Sequence, residues 1–370
     1  MSSVLFSPLA LRGVELANRV VVAPMCQYAA VDGSANDWHL MHLGQYAMGA
    51  AGLVFTEATH VSAVGRISPK CLGLYSDANQ AALKRVIDFC HEHGVTPMAI
   101  QLAHAGRKGS NRPPQEGGTP IPPDTADGWQ RVGPSAEPYA DWPVPHALSL
   151  EEIAEVKRQF VDAARRAVAI GIEVAELHAA HGYLMHEFLS PNSNRRNDAY
   201  GGGRENRMRL LLEVFEAVRA VWPQDRPVGV RVSATEWVDG GWDLDDTLVL
   251  AHELQALGCD FLDVSSGGND PKQQLQAGPG YQVPFAEAVK RATGMAAMAV
   301  GMITKARQAE EIVASGKADM VALARGMMFD PRWAWHAAEE LGAETPYAER
   351  YLRAHPSRWP QVFPWRQAAE

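Results

Sequence analysis

Three side chains that can handle protons lie close together in the segment HAAHGY, residues 178–183. His178, His181 and Tyr183 are separated only by alanine and glycine, so they stand beside almost no side-chain bulk. Imidazoles at short spacing can bind zinc, a histidine–tyrosine set can do acid–base chemistry, and such groups can also be satisfied polar residues of a core. Which of the three applies depends on where the fold positions the segment.

Eight short apolar runs recur along the chain and supply the elements that must position these residues. Each run is apolar almost without interruption, which is typical of parallel strands buried on both faces. Amphipathic patterns between the runs predict helices, one capped by Asp77 and another opened by a capping box of Ser149 with Glu152. The runs are residues 19–25, 52–59, 95–104, 172–180, 227–234, 260–266, 295–301 and 319–326.

Eight strand–helix alternations within one compositional regime predict an α/β fold, a single (β/α)8 TIM barrel domain over residues 1–370. A doubly wound sheet is the alternative, but it usually carries G-x-G-x-x-G after a strand, and neither that motif nor a P-loop occurs. Residues 105–148, rich in Pro and Gly, follow the third strand and are predicted to be a lid-like insertion or a plain surface excursion. Residues 344–370 form a predicted C-terminal tail.

Composition limits the partners and the compartment. A net charge of −9 repels phosphate backbones, so no nucleic acid is expected, and no apolar run approaches the roughly 20 residues that span a bilayer. The N-terminus shows no signal-peptide pattern. The four cysteines lie far apart without a C-x-x-C motif, which favours a reducing compartment, and we therefore predict a cytoplasmic protein.

Polar residues collect where the predicted strands end, and barrel enzymes place their chemistry at that rim. Gln101 offers both a donor and an acceptor to the edge of a ring, while Arg231 can stabilise an anion on it. Gly301 and Arg325 stand at the ends of the last two runs, where barrels commonly bind phosphate. A planar phosphorylated cofactor is therefore expected across the barrel mouth. The residues at the ends of the runs are Met25, Cys26, Ala58, Thr59, Gln101, His104, His178, His181, Arg231, Ser265, Ser266, Gly301, Arg325 and Gly326.

On these motifs the chain resembles the Old Yellow Enzyme family of FMN-dependent ene-reductases, especially the bacterial branch of xenobiotic reductase and thermophilic-like enzymes. The resemblance runs in order from about residue 6 to residue 335. It implies an NAD(P)H:flavin oxidoreductase of the NADPH dehydrogenase kind, with FMN bound tightly but non-covalently and NADPH or NADH as reductant. The stretches that carry it are NRVVVAPMCQY (18–28), IQLAHAGRK (100–108), ELHAAHGYLMHEFLSPNSNRRNDAYGG (176–202), ENRMR (205–209) and VALARGMMFDPRW (321–333).

The resemblance also implies a set of flavin contacts. The Cys26 thiol would lie near the reactive edge of the ring and tune its redox potential. Ala58, Gln101 and Arg231 would meet the isoalloxazine ring. The whole implied set is Ala23, Pro24, Met25, Cys26, Ala58, Gln101 and Arg231, with Gly301, Ala324 and Arg325 at the phosphate.

For HAAHGY the resemblance implies catalysis. No HExxH motif and no nearby cysteine or carboxylate set completes a metal site, so no metal is predicted. His178 and His181 would both donate hydrogen bonds to one substrate oxygen and stabilise an enolate. Tyr183, with an ordinary pKa of about 10, would deliver a proton to the α-carbon of an α,β-unsaturated carbonyl compound. Tyr28 would face the substrate.

Some features differ among relatives or stay open. The pair of histidines supports the xenobiotic-reductase branch, since many members pair His with Asn, and Met302 stands where some relatives carry tryptophan. In this branch the tail can reach a neighbouring subunit's site, so Arg353 is predicted to do so in a homodimer or homotetramer. The alternatives are a flavin-binding barrel without catalysis and a flavin reductase acting on tRNA, which the acidic charge disfavours.

Overall fold

A computed structural model describes residues 3–358, and within them eight parallel strands close a barrel. Each strand pairs with its neighbours in the chain, and the last strand closes the ring on the first through the pair Leu323↔Val22. The predicted TIM barrel is therefore confirmed. The barrel strands are β1 (Val20–Val22), β2 (Leu53–His60), β3 (Met98–Ala103), β4 (Val174–Ala179), β5 (Val228–Ser233), β6 (Phe261–Ser265), β7 (Ala296–Val300) and β8 (Met320–Leu323).

Helices lie outside the barrel and shield the strands from water. The capping box of Ser149 with Glu152 begins helix α3 (Leu150–Ala169), as predicted. The prediction that Asp77 caps helix α2 (Asp77–His93) is wrong by one residue. The Ser76 hydroxyl accepts from the Asn79 N–H, and Asp77 is the first helical residue. No helix of residues 3–358 is long and apolar enough to cross a membrane. The helices are α1 (Asp37–Ala47), α2 (Asp77–His93), α3 (Leu150–Ala169), α4 (Leu184–Leu189), α5 (Arg204–Val221), α6 (Leu244–Ala256), α7 (Val283–Thr293), α8 (Ala306–Ala314), α9 (Arg325–Phe329) and α10 (Trp333–Glu340).

An antiparallel hairpin of Leu9–Leu11 and Val14–Leu16, not predicted from the sequence, packs against the barrel interior. Its Leu11 and Leu16 belong to the buried cluster formed by inward-facing strand residues such as Phe55 and Phe261. The alternate strand residues pack outward into a second, larger core beneath the helices. This period of two leaves the barrel filled with side chains, so the site must be built at its rim.

The barrel interior gives a first prediction, on stability. A Cβ at Gly229 would lie 2.4–2.5 Å from three ring carbons of the fully buried Phe261. We expect Gly229→Ala to destabilise the fold by about 1–3 kcal/mol through overpacking, measured by chemical denaturation. Gly278→Ala is the matched control, because nothing lies within 4 Å of the Cβ position there. Equal stability of the two variants would contradict this packing.

Residues 105–148 form an excursion anchored beside the barrel rim. It contains 3-10 turns at Gly106–Lys108 and Pro114–Glu116 and two-residue strands at Val132–Gly133 and His146–Ala147. At its start the Arg107 guanidinium donates to the backbone oxygen of Asn269 at 2.8 Å, in the loop after β6. The excursion is thus tied at its root to the loops around the mouth.

The described part of the C-terminal tail packs on α10. It forms 3-10 turns at Glu349–Ala354 and Pro356–Arg358, and Tyr347 stacks on Trp335 with ring centroids 4.2 Å apart. The rest of the predicted tail, residues 359–370, lies outside the described residues.

Candidate active site

The segment HAAHGY forms the end of β4 and the turn into α4. His178 is in the strand, His181 and Gly182 adopt left-handed φ of +59° and +73°, and Tyr183 is the residue before the first turn of α4. The His181 N–H donates to Ser233 Oγ at 2.9 Å, which holds the turn against the end of β5. The ring of His178 lies 5.0 Å from that of Tyr183 and 5.2 Å from that of His181, edge to face. The three predicted side chains are therefore brought together.

Glycine at position 182 is required by a close approach of backbone. A Cβ there would lie 2.4 Å from the carbonyl oxygen of Gly268, in the loop after β6. The Lys108 ammonium joins the two turns, because it donates to His181 O at 2.8 Å and to Gly268 O at 2.9 Å. It also lies 5.2 Å from the Tyr183 ring centroid. Sequence reasoning missed Lys108, which lies in a quoted motif but far along the chain from its partners.

Both imidazoles are uncharged. Burial is the main cause that holds the pKa of His178 and of His181 well below 6.5. The positive charge of Arg231 is the second cause. Each neutral ring carries one N–H and one lone pair. His178 Nε2 and His181 Nδ1 face each other at 3.4 Å. The two rings are therefore close enough to share a hydrogen bond at the rim.

Gln101 and Arg231 lie at the carboxyl ends of β3 and β5, on either side of His178. In the pairing of neighbouring strands, Gln101 lies opposite Ala58 of β2 and Glu176 of β4. Arg231 of β5 lies opposite His178 of β4. Ala58 directly follows a β-bulge in β2, which shifts the register there.

Two buried carboxyl groups hold the polar side chains of this rim. Gln101 donates to Glu176 Oε1 at 2.7 Å, and Arg231 Nε lies 3.1 Å from Asp263 Oδ2. Burial, and next the charge of Asp263, raise the pKa of Glu176 to about 8, so it is protonated at neutrality. Sequence reasoning missed Glu176 and Asp263, although each is an acidic residue in the interior of a predicted buried strand, a signal that could have found them.

Residues after β1 also contribute side chains to the rim. Ala23 donates its N–H to Leu323 O at 3.0 Å, which continues the pairing of β1 with β8. Pro24 and Met25 follow, and Met25 is buried. Cys26, Tyr28 and Tyr183 pack together against a small apolar cluster of Ile67, Cys71 and Ala105. The structure therefore places the predicted thiol and both predicted phenols in one corner.

Gly301, Ala324 and Arg325 lie together at the ends of β7 and β8. Gly301 has a φ of +118°, and a Cβ there would meet Gln282 Nε2 at 2.7 Å. Arg325 begins α9, whose first turn has no side-chain cap, and a Cβ at Gly326 would meet little. The corner thus offers unblocked backbone and one guanidinium to an anion. Sequence reasoning missed Gln282, which adjoins it.

Within a single chain, the predicted site residue Arg353 lies away from this site. It lies in the 3-10 turn Glu349–Ala354, whose neighbour Tyr351 lines a groove with His93 and Val95, before β3 begins. That groove is near the amino end of β3, away from the rim. The contact of Arg353 with a neighbouring subunit stays a prediction. In residues 3–358 no group of three or more His, Cys, Asp or Glu side chains could hold a metal ion.

Comparison with known proteins gives one consistent result. Residues 4–344 match the model of the NADH:flavin oxidoreductase / NADH oxidase family. The chain is 42% identical over 356 residues to an NADPH dehydrogenase of Geobacillus sp. (strain WCH70), covering 95% of this chain and 99% of that protein. It is 44% identical over 355 residues to an NADPH dehydrogenase of Listeria innocua, with the same two coverages.

Solved structures agree with the family match. Morphinone reductase superposes with a TM-score of 0.77 at 28% identity, over 93% of this chain and 91% of that one. A 2-naphthoyl-CoA reductase complex superposes with a TM-score of 0.82 at 25% identity, over 91% of this chain but only 52% of the larger protein.

Proposed function

The chain belongs to the NADH:flavin oxidoreductase / NADH oxidase family, and on that premise we propose that it is an ene-reductase. It is an oxidoreductase that uses FMN and a reduced nicotinamide nucleotide. The proposed substrates are small α,β-unsaturated carbonyl compounds, whose C=C bond is reduced. The observation that carries the proposal is the 3.4 Å contact between His178 Nε2 and His181 Nδ1 at the rim, with the Tyr183 ring beside it.

The residues at the rim fit FMN in their chemistry. Gln101 can bond the mixed donors and acceptors of the ring edge, with Ala58 beside it and Arg231 supplying positive charge. Gly301 and Arg325, with Ala324 between strand and helix, fit the phosphate because backbone N–H groups and a guanidinium can approach it. Bound FMN, once reduced by NADPH, supplies the hydride that adds to the β-carbon of the alkene.

We propose that the two imidazoles bind the carbonyl oxygen of the substrate. A substrate oxygen that replaces the contact between these two nitrogens, which lie 3.4 Å apart, would accept a hydrogen bond from each ring. Its negative charge grows as the β-carbon is reduced, so these bonds strengthen toward the transition state. Neutral rings suit this role, because they donate hydrogen bonds without giving up a proton to the oxygen.

Tyr183 is the proposed proton donor to the α-carbon. Burial is the main cause that raises its pKa well above 10, and the phenol therefore stays protonated at every working pH. Cys26 and Tyr28 share its apolar cluster, where they are proposed to contact the flavin and the substrate respectively.

The remaining proposals concern partners and location. We propose a homodimer or homotetramer in which Arg353 reaches a neighbouring site, and no nucleic-acid or membrane partner. The net charge of −9 supports the lack of binding to nucleic acid. The four cysteines are free thiols, which supports a cytoplasmic location.

A product-labelling experiment tests the proposed function. The protein is incubated with 2-cyclohexenone and with NADPH carrying deuterium at the transferable C4 position. We expect cyclohexanone with deuterium at the β-carbon, and, in D2O with ordinary NADPH, deuterium at the α-carbon. Oxidation of NADPH without formation of cyclohexanone would contradict the proposal. The protein would then be a flavin oxidoreductase that acts on another class of substrate.

The neutral imidazoles also predict a pH dependence. Because the pKa of both histidines lies well below 6.5, the neutral rings persist when the solution is acidified through that value. We expect the rate at which cyclohexenone oxidises the NADPH-reduced enzyme to change less than about two-fold between pH about 7.5 and about 5.5. Stopped-flow absorbance measures it. A decline with an apparent pKa near 6.5 would show that the rings gain protons and lose this role.

A further inference from the structure

Gly182, the residue between His181 and Tyr183, is held by a side chain that the proposed chemistry does not use. Its backbone N–H donates to His186 Nδ1 at 2.9 Å. His186 lies in α4 and is fully buried. The turn that carries two of the proposed active-site side chains therefore depends on an imidazole that accepts a hydrogen bond.

The contact with Gly182 fixes the tautomer of His186. Two N–H groups cannot face each other at 2.9 Å, so Nδ1 carries a lone pair. The ring is therefore neutral, and its single proton is on Nε2. That nitrogen lies 3.2 Å from Glu236 Oε1, in the loop after β5.

Glu236 is a buried carboxylate surrounded by donors. Its Oε1 accepts from Asn269 Nδ2 at 2.7 Å, and its Oε2 accepts from the Trp242 N–H at 3.2 Å and from Asn192 Nδ2 at 3.3 Å. Burial raises the pKa of Glu236, but hydrogen bonds from its neighbours, first among them His186, together lower it below its ordinary value. An ionised carboxylate attracts the Nε2 proton of His186 and opposes the other tautomer, which would direct a lone pair at it.

The same carboxylate holds the other side of the close approach at Gly182. A Cβ at Gly182 would lie 2.6 Å from the Cα of Asn269, in the loop after β6. The side chain of Asn269 donates to Glu236, and His186 joins Glu236 to Gly182. One fully buried carboxylate thus fixes both backbone segments at the point where they meet.

We propose that His186 is a positioning residue, which accepts from Gly182 and so holds the turn of HAAHGY. The turn in this conformation presents His181 and Tyr183 to the substrate. His181 has a φ of +59°, a left-handed conformation that costs energy in a residue other than glycine and that relaxes when the turn loses its acceptor. This inference rests on the proposed function and extends it to a residue that acts through the turn and does not touch the substrate.

Two substitutions at position 186 separate the two contacts of the ring. The Oδ1 of asparagine is as many bonds from the backbone as Nδ1 of histidine, so His186→Asn keeps an acceptor for Gly182 and loses the contact with Glu236. The Nε2 of glutamine corresponds to Nε2 of histidine, so His186→Gln keeps a donor to Glu236 and loses the acceptor for Gly182.

The affinity of the holoenzyme for 4-nitrophenol, whose phenolate oxygen resembles that of an enolate, is the first measurement. We expect the dissociation constant to change less than about three-fold in His186→Asn, because the turn keeps its acceptor. In His186→Gln we expect it to rise at least about ten-fold, because the buried Gly182 N–H loses its partner. Equal binding by the two variants, or weaker binding by His186→Asn than by His186→Gln, would overturn the proposal.

A matched control removes a buried imidazole elsewhere. His42 is buried on α1, where its ring lies edge to face with Tyr46 at 5.0 Å between centroids. His42→Gln is expected to bind 4-nitrophenol as the unaltered protein does. Weakening in His42→Gln equal to that in His186→Gln would contradict a role specific to the turn.

Nitrogen-15 NMR of the labelled holoenzyme, with the His186 ring assigned through its backbone, is the second measurement. We expect a neutral His186 with its proton on Nε2, and a proton on Nδ1 would overturn the proposal. If neither variant folds, or if the unaltered protein does not bind 4-nitrophenol, this tautomer decides alone.

The outcomes separate this inference from the proposed function. If the tautomer and the two variants are as expected but cyclohexenone is not reduced, the proposed function fails and the positioning role of His186 stands. If cyclohexenone is reduced but the tautomer is the opposite one, or the two variants bind equally, only this inference fails.

Discussion

Replacing Tyr183 with phenylalanine is expected to slow the oxidation of the NADPH-reduced enzyme by 2-cyclohexenone by about 10²- to 10⁴-fold. The phenol is the proposed acid for the α-carbon, and the variant removes its proton while keeping the ring that packs with Cys26 and Tyr28. Reduction of the oxidised enzyme by NADPH needs no proton from this phenol, so its rate is expected to change less than about three-fold. Anaerobic stopped-flow absorbance follows the two half-reactions separately.

A matched control comes from a tyrosine that is buried elsewhere in the fold. Tyr46 lies on α1, and burial raises its pKa to about 12, but it belongs to the core beneath the helices. Tyr46→Phe is expected to leave both half-reactions unchanged. If Tyr183→Phe instead slows both half-reactions equally, Tyr183 is a structural or flavin-contacting residue and not the proton donor.

Replacing either histidine of HAAHGY with alanine is the second large prediction. Loss of one preorganised donor to a developing oxyanion typically costs about 10²- to 10³-fold in rate. We expect His178→Ala and His181→Ala each to slow oxidation by cyclohexenone by that amount. The double variant should cost less than the product of the two, because the donors act on one oxygen.

Binding of 4-nitrophenol distinguishes donor loss from general damage. Its dissociation constant, measured from the absorbance change on titration, is expected to rise at least about ten-fold in each variant. His252→Ala removes an imidazole from the exposed face of α6 and is expected to bind 4-nitrophenol normally. Unchanged binding in His178→Ala and His181→Ala would contradict the paired-donor arrangement.

The barrel could be predicted from the sequence because its strands are buried on both faces. Such strands read as uninterrupted apolar runs, and the eight runs match β1 to β8. The N-terminal hairpin was not predictable in the same way, because its two strands are only three residues long and one face is exposed. The cap at Ser76 was misassigned to Asp77 because both residue types favour that position.

The gathering of the candidate residues at one rim was predictable for a related reason, since parallel strands bring their carboxyl ends together. The residues that contact them were not predictable from the sequence. Lys108 reaches His181 from the excursion, and Gln282 reaches Ser265 from the residue before α7. Such contacts join segments distant in sequence, and no local pattern records them.

One small residue of HAAHGY has a structural reason that the sequence did not reveal. Alanine and glycine were expected to keep the histidines free of bulk. The structure shows that Gly182 is needed mainly because the Gly268 carbonyl would lie 2.4 Å from any Cβ there. This strained turn also orients His181, whose own φ is +59°.

An anaerobic absorbance spectrum tests the central claim most directly, namely that FMN lies at this rim and passes reducing equivalents to an enone. It is recorded on the purified protein, again after NADPH, and again after 2-cyclohexenone. We expect a yellow protein whose flavin absorbance is bleached by NADPH and returns when cyclohexenone is added. A colourless protein that does not take up FMN, or a bleached spectrum that cyclohexenone leaves unchanged, would contradict the claim.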